Sequence, residues 1–119
     1  MSLKAIYLSR FFTFVFIFLL VVIEYMSTTS AEFELVKSSW DKINHFLAFV
    51  VLYITMNFGL KSLNLIQKIV ILMIYAVQIE VVQVFLPNRY FSLLDILADF
   101  IGVLFGILAA RVLLKFTAR

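Results

Sequence analysis

Apolar residues run through the chain in four stretches, at residues 11–26, 42–58, 66–86 and 93–115, separated by polar links at 27–41, 59–65 and 87–92. Each stretch comes close to the roughly 20 helical residues that cross a hydrocarbon core of about 30 Å. No stretch is free of charge throughout, but the interruptions Glu24, His45, Glu80, Asp95 and Asp99 each fall toward one end of their stretch. Alternation by two is missing, and an isolated strand in lipid would leave backbone groups unpaired, so helices are expected. The pattern predicts an all-α polytopic membrane protein, a single domain over residues 1–119 with four transmembrane helices in a small bundle. Pro87 and Asn88 supply a helix stop followed by turn chemistry.

Composition strengthens this picture. The chain is 65% hydrophobic and 14% charged, with a mean hydropathy of +1.12, whereas a soluble domain of 119 residues would need far more polar surface to cover so small a core. No cysteine is present, which excludes disulfides, thiolate chemistry and Cys-based zinc or iron–sulfur sites. The net charge of +3 comes with no basic stripe or base-stacking platform, so nucleic acid is not an expected partner. A signal peptide fits poorly: Tyr25 and Met26 lengthen the first apolar segment, and Thr29 before Ala31 is a weak cleavage site.

Charge distribution predicts orientation. With the N-terminus inside, the inner surfaces hold Lys4, Arg10, Lys61, Lys68, Arg111, Lys115 and Arg119, and the outer surfaces hold only Lys37, Lys42 and Arg89. Both termini are then cytoplasmic, and the loop carrying Glu32 and Glu34 faces out.

That orientation brings the ionisable residues of three helices to one membrane face. Asp41, Lys42 and His45 open the second helix, Glu80 and Gln83 close the third, Arg89 sits in the following turn, and Asp95 and Asp99 open the fourth. Spacings of three or four place each pair on one helical face, and Glu80 and Asp99 fall at similar depths, so the polar stripes are expected to form one cup. Ionisable groups in hydrocarbon are costly unless paired, neutralised or wetted. His45, Glu80 and Asp95 are therefore candidate catalytic residues, with Glu80 the expected proton carrier. Asp41, Lys42, Gln83, Arg89 and Asp99 are candidate ligand-binding residues. The competing expectation is a self-neutralising network that only fixes helix register. No cofactor or metal is expected, since one histidine and no cysteine leave only carboxylates to complete a metal site. Glu24 is expected to snorkel to the interface, Trp40 to anchor there, and the run from Phe11 to Phe18 to face lipid.

In the fourth helix, Asp95, Asp99, Gly102 and Gly106 share one face. The two glycines permit close helix approach, and their position beside the acidic pair favours packing within the bundle over a dimer interface.

Three segments resemble the motifs of VanZ-like membrane proteins: Asp41-Lys42-x-x-His45, Glu80-x-x-Gln83-x-x-x-Pro87-x-Arg89, and Ser92-x-x-Asp95-x-x-Ala98-x-x-x-Gly102. They occur in this order over about the central half of the chain. The resemblance implies a small bacterial envelope protein of the inner membrane, similar to one linked to low-level teicoplanin resistance, a glycopeptide phenotype. Asp99 stands where that family usually has Asn, adding a negative charge, and Asn88 stands where Gly is common.

Three function classes follow. The first is an enzyme or binding protein for an anionic, lipid-linked envelope molecule, in which Lys42 and Arg89 hold phosphate or carboxylate and His45 and Glu80 exchange protons. The second is a structural or assembly subunit with a membrane-protein partner. The third, an ion pathway, is disfavoured because no ionisable residue is expected in the inner half of the bundle. Membrane lipids are expected partners in all three.

Overall fold

A computed structural model describes residues 2–28, 39–87 and 90–117, with the side chains of residues 39–41 and 117 outside that description. The described chain forms four helices: α1 (Leu3–Thr28), α2 (Ser39–Gly59), α3 (Leu65–Val84) and α4 (Leu93–Thr117). Asn64 opens α3 with a full capping box, its side chain accepting from Gln67 N at 2.8 Å while its own N–H donates to Gln67 Oε1 at 3.0 Å. At the other end, α3 stops two residues short of the expected boundary. Leu86 precedes Pro87 and is biased away from helical backbone, and the chain tightens there through a Leu86 N–H to Gln83 O bond. The largest boundary difference is in α1, which begins eight residues before the expected Phe11 and takes Lys4 and Arg10 into its exposed first turns.

The helices alternate in direction. Tyr75 donates to Leu20 O at 2.6 Å, Gln78 to Glu24 Oε2 at 2.7 Å and Gln83 to Ser27 O at 3.0 Å, a rising series that runs α1 and α3 parallel. At the opposite end of α1, Ser9 donates to Gly59 O at 2.8 Å, which sets α2 antiparallel to it. The α2 helix packs against all three others, whereas α1 and α4 make no mutual packing contact among the described residues. Phe49, Leu52, Tyr53 and Met56 of α2 meet Leu72, Ala76 and Ile79 of α3, Phe16 of α1, and Val103 and Ala110 of α4 in one core.

Three helices are long and apolar enough to cross a membrane: Leu3–Thr28, Leu65–Val84 and the Leu93–Phe116 part of α4. Among the described residues α2 does not qualify, which corrects the expectation of four. Lys42, Asn44, His45, Thr55 and Asn57 dilute its hydropathy, and its place against the other three helices relieves it of the need for an all-apolar surface. The phenylalanine run is also only partly lipid-facing: Phe11, Phe14 and Phe18 are exposed, but Phe16 is buried and Phe12 packs on Phe58.

The glycines of α4 serve packing within the chain. A Cβ at Gly102 would collide with the Phe46 carbonyl oxygen, and one at Gly106 would lie 2.7 Å from Tyr53 Cβ. Glycine is required at both because α4 runs along the backbone of α2, as the shared face with Asp95 and Asp99 predicts.

Candidate functional site

The close approach of α2 and α4 sets the first half of the site. His45, on the second turn of α2, meets two carboxylates one helical turn apart on α4: its Nδ1 lies 2.7 Å from Asp99 Oδ1, and its Nε2 lies 3.8 Å from Asp95 Oδ2. Lys42, one turn before His45, holds its Nζ 3.4 Å from Asp95 Oδ1, an ion pair without hydrogen-bond geometry. Lys42 is partly exposed at the rim; His45, Asp95 and Asp99 are buried.

The second half comes from α3. Glu80, with no exposed surface, accepts from the backbone N–H of Ser92 through Oε1 at 3.0 Å. Ser92 in turn caps α4, its Oγ accepting from Asp95 N at 3.2 Å. In an ordinary capping box the third helical residue would accept the cap residue's N–H, as Gln67 does at the start of α3. Here Glu80 takes that proton donor from a neighbouring helix, and the Asp95 carboxylate is released to face His45 and Lys42. The Ser92-x-x-Asp95 spacing is therefore half a cap and half a site.

The result is a buried cage in which ligand atoms of His45, Glu80 and Asp95 all lie within 4.8 Å of one another. Glu80 Oε2 has no hydrogen-bond partner among the described residues. Among the described residues, three carboxyl groups face Lys42 and one imidazole. Three helices thus bring ionisable groups together at one end of the bundle.

Other expected site residues fall elsewhere. Gln83 is buried, but its amide turns to Ser27 O on α1 and ties helices together. The Asp41 side chain, Asn88, Arg89 and the Trp40 side chain lie outside the described residues, as does the loop with Glu32 and Glu34. Glu24, half-buried on α1, accepts from Gln78 on α3. The largest omission is Lys68, placed by charge counting on the inner surface. It is buried at the end opposite the cage, donating to Asn57 Oδ1 at 2.6 Å and standing 5.7 Å from the centroid of the Tyr53 ring. An ionisable residue does therefore occupy that half of the bundle. Asn57, an amide near the end of an apolar stretch, was the available signal.

The three apolar helices and the buried polar end are what a small membrane protein with the motifs above would show. Searches of curated proteins and of solved structures returned no match. A family model described as VanZ/LLP1 matches residues 4–114, extending the likeness from the three motifs to nearly the whole chain: the protein belongs to the VanZ/LLP1 family.

Proposed function

We propose that the cage end of the bundle is an outer-leaflet site that binds or modifies an anionic, lipid-linked molecule of the bacterial envelope. The observation that supports this most is the convergence of Lys42, His45, Glu80, Asp95 and Asp99 from three helices into one buried cluster. Each carboxylate placed at membrane depth costs about 3 kcal/mol on insertion scales, and helix register can be fixed more cheaply by close-packed glycines, which α4 already has. Lys42 at the rim and Arg89, which follows α3 in the sequence, supply the positive charge for a phosphate or carboxylate. Both termini lie in the cytoplasm in this reading, with α2 carried through the membrane by the helices around it.

The alternative is a structural or assembly subunit, with an effect on glycopeptide susceptibility arising through a partner. It draws support from the fact that the side chains of the cage also join helices: α2 to α4 through His45 and Lys42, and α3 to the start of α4 through Glu80.

Mass spectrometry of co-purified lipids tests the ligand reading. Wild-type protein is expected to retain a phosphate-bearing species that Arg89→Ala, equally folded, has lost. Identical lipid profiles from the two would overturn it.

A further inference from the structure

We propose that His45 Nε2, Glu80 and Asp95 hold a divalent transition-metal ion, with Asp99 as the outer carboxylate that orients the histidine. Four observations converge. The three side chains are buried and already bring one potential ligand atom each within 4.8 Å of the others. Around a bound zinc ion those atoms would sit about 3.4 Å apart, a contraction that side-chain rotation supplies.

Asp99 gives the second observation. A metal-bound histidine characteristically donates its other ring N–H to a carboxylate, which fixes tautomer and ring orientation. His45 has that arrangement, with Nδ1 2.7 Å from Asp99 Oδ1 and Nε2 turned toward Asp95 Oδ2 at 3.8 Å. The latter separation is too long for a hydrogen bond and suits two ligands on one ion.

Glu80 gives the third. Its Oε1 is pinned by Ser92 N, while Oε2, on a side chain with no exposed surface, has no partner among the described residues. A buried carboxylate oxygen left without a donor is costly, and a cation at the shared centre satisfies it directly.

The fourth is charge. Among the described residues, with neutral His45 as a ligand, the carboxylates of Glu80, Asp95 and Asp99 outnumber Lys42 by two, and one divalent ion balances them. One imidazole with two carboxylates suits zinc or manganese, and three protein ligands leave a position for water or a ligand oxygen. Ion binding itself needs nothing but these side chains. What the ion does, presenting that open position to an anionic headgroup, rests on the function proposed above.

The experiment uses the full chain in detergent, stripped with EDTA and titrated calorimetrically with Zn²⁺ in the absence of added lipid. One ion per chain is expected, with a rise in Tm on loading. Glu80→Gln and Asp95→Asn should each weaken binding by about a hundredfold or more, beyond the 10–100-fold typical of outer-shell changes. Absence of saturable binding, or equal affinity in wild type and both variants, overturns the site. Should the variants fail to fold, X-ray absorption of zinc-loaded wild type decides: one imidazole among oxygen ligands supports the site, and an all-oxygen shell overturns it. Zinc binding with no retained anionic lipid would leave the ion and remove the proposed function. A retained lipid indifferent to EDTA, in protein that binds no zinc, would do the reverse.

Discussion

Two polar regions lie buried on one face of α3, and they are built on opposite principles. Lys68, Leu72, Ala76 and Glu80 follow one another at intervals of four, all buried, so the lysine and the glutamate are separated by about 18 Å of apolar helix face. At the Lys68 end the arrangement is closed: the ammonium has a 2.6 Å hydrogen bond to Asn57 and an aromatic face beside it. At the Glu80 end it is open, with like charges gathered at short range and Glu80 Oε2 lacking a donor among the described residues. Burial alone therefore does not mark a site. The difference lies in whether the neighbours satisfy what is buried, and a cluster left short of counter-charge is where a ligand or an ion has something to contribute.

The two regions also depend on different helix pairs. Asn57 and Lys68 come from α2 and α3, while the cage needs α4 held against α2. The largest expected effect follows from wedging that second pair apart. Gly102→Leu would drive a side chain into the Phe46 carbonyl, and the variant should lose about 3 kcal/mol, the upper end of overpacking costs. Leu108→Ala, which trims an exposed residue of the same helix, should melt like wild type in detergent. Equal loss in the two variants would mean that the glycine face is not the seam on which the cage stands.

A smaller effect is expected at the closed end. Asn57→Leu removes the acceptor from a buried ammonium and should cost about 2 kcal/mol, the penalty for an unpaired buried polar group. Changing Lys68→Met as well removes the orphaned charge, and the double variant should regain most of that loss, as apolar replacement of buried polar pairs often does. A double variant no more stable than Asn57→Leu alone would show that the pair contributes by packing rather than by satisfying charge.

What the chain disclosed before folding followed the same division. The cage was visible because His45, Glu80, Asp95 and Asp99 interrupt apolar stretches, and helical spacing assigns them to faces without any knowledge of the neighbours. The glycine seam was visible for the same reason. Lys68 was not, because a basic residue two positions into an apolar stretch looks like an interfacial charge; only the partner on α2 reveals that it is enclosed. The start of α1 was missed in a related way. Lys4 and Arg10 read as flanks, yet long basic side chains on an exposed helix face interrupt nothing. The shared role of Ser92, capping α4 while donating to Glu80, depends on two helices at once and has no signature within either. The proposed metal site has no signature in the sequence either, since a single histidine has no ligand spacing of its own, and its carboxylate partners come from helices that sequence order keeps apart.

The smallest effect is also the one that bears most directly on the contrast between a closed and an open cluster. Glu80→Gln keeps an oxygen to accept from Ser92 N, as Oε1 now does at 3.0 Å. In place of Oε2, unsatisfied among the described residues, it puts an amide that can donate to Asp95, whose Oδ1 is buried without a hydrogen bond from any of them. It also removes one of the three carboxylates gathered at short range. In metal-free protein the variant should therefore be more stable than wild type, by about 1 kcal/mol, the usual gain when a site's strained polar group is relieved. The same change should abolish the stabilisation that zinc confers on wild type, so that the order of the two melting temperatures reverses between EDTA and Zn²⁺. A cluster serving only as register glue predicts the opposite sign, because deleting a charge from a network that holds helices together weakens it in either buffer. Melting curves of both proteins in the two buffers decide the matter, and a Glu80→Gln protein that melts below wild type in EDTA would place the cage beside the Lys68 pair as a closed, structural arrangement.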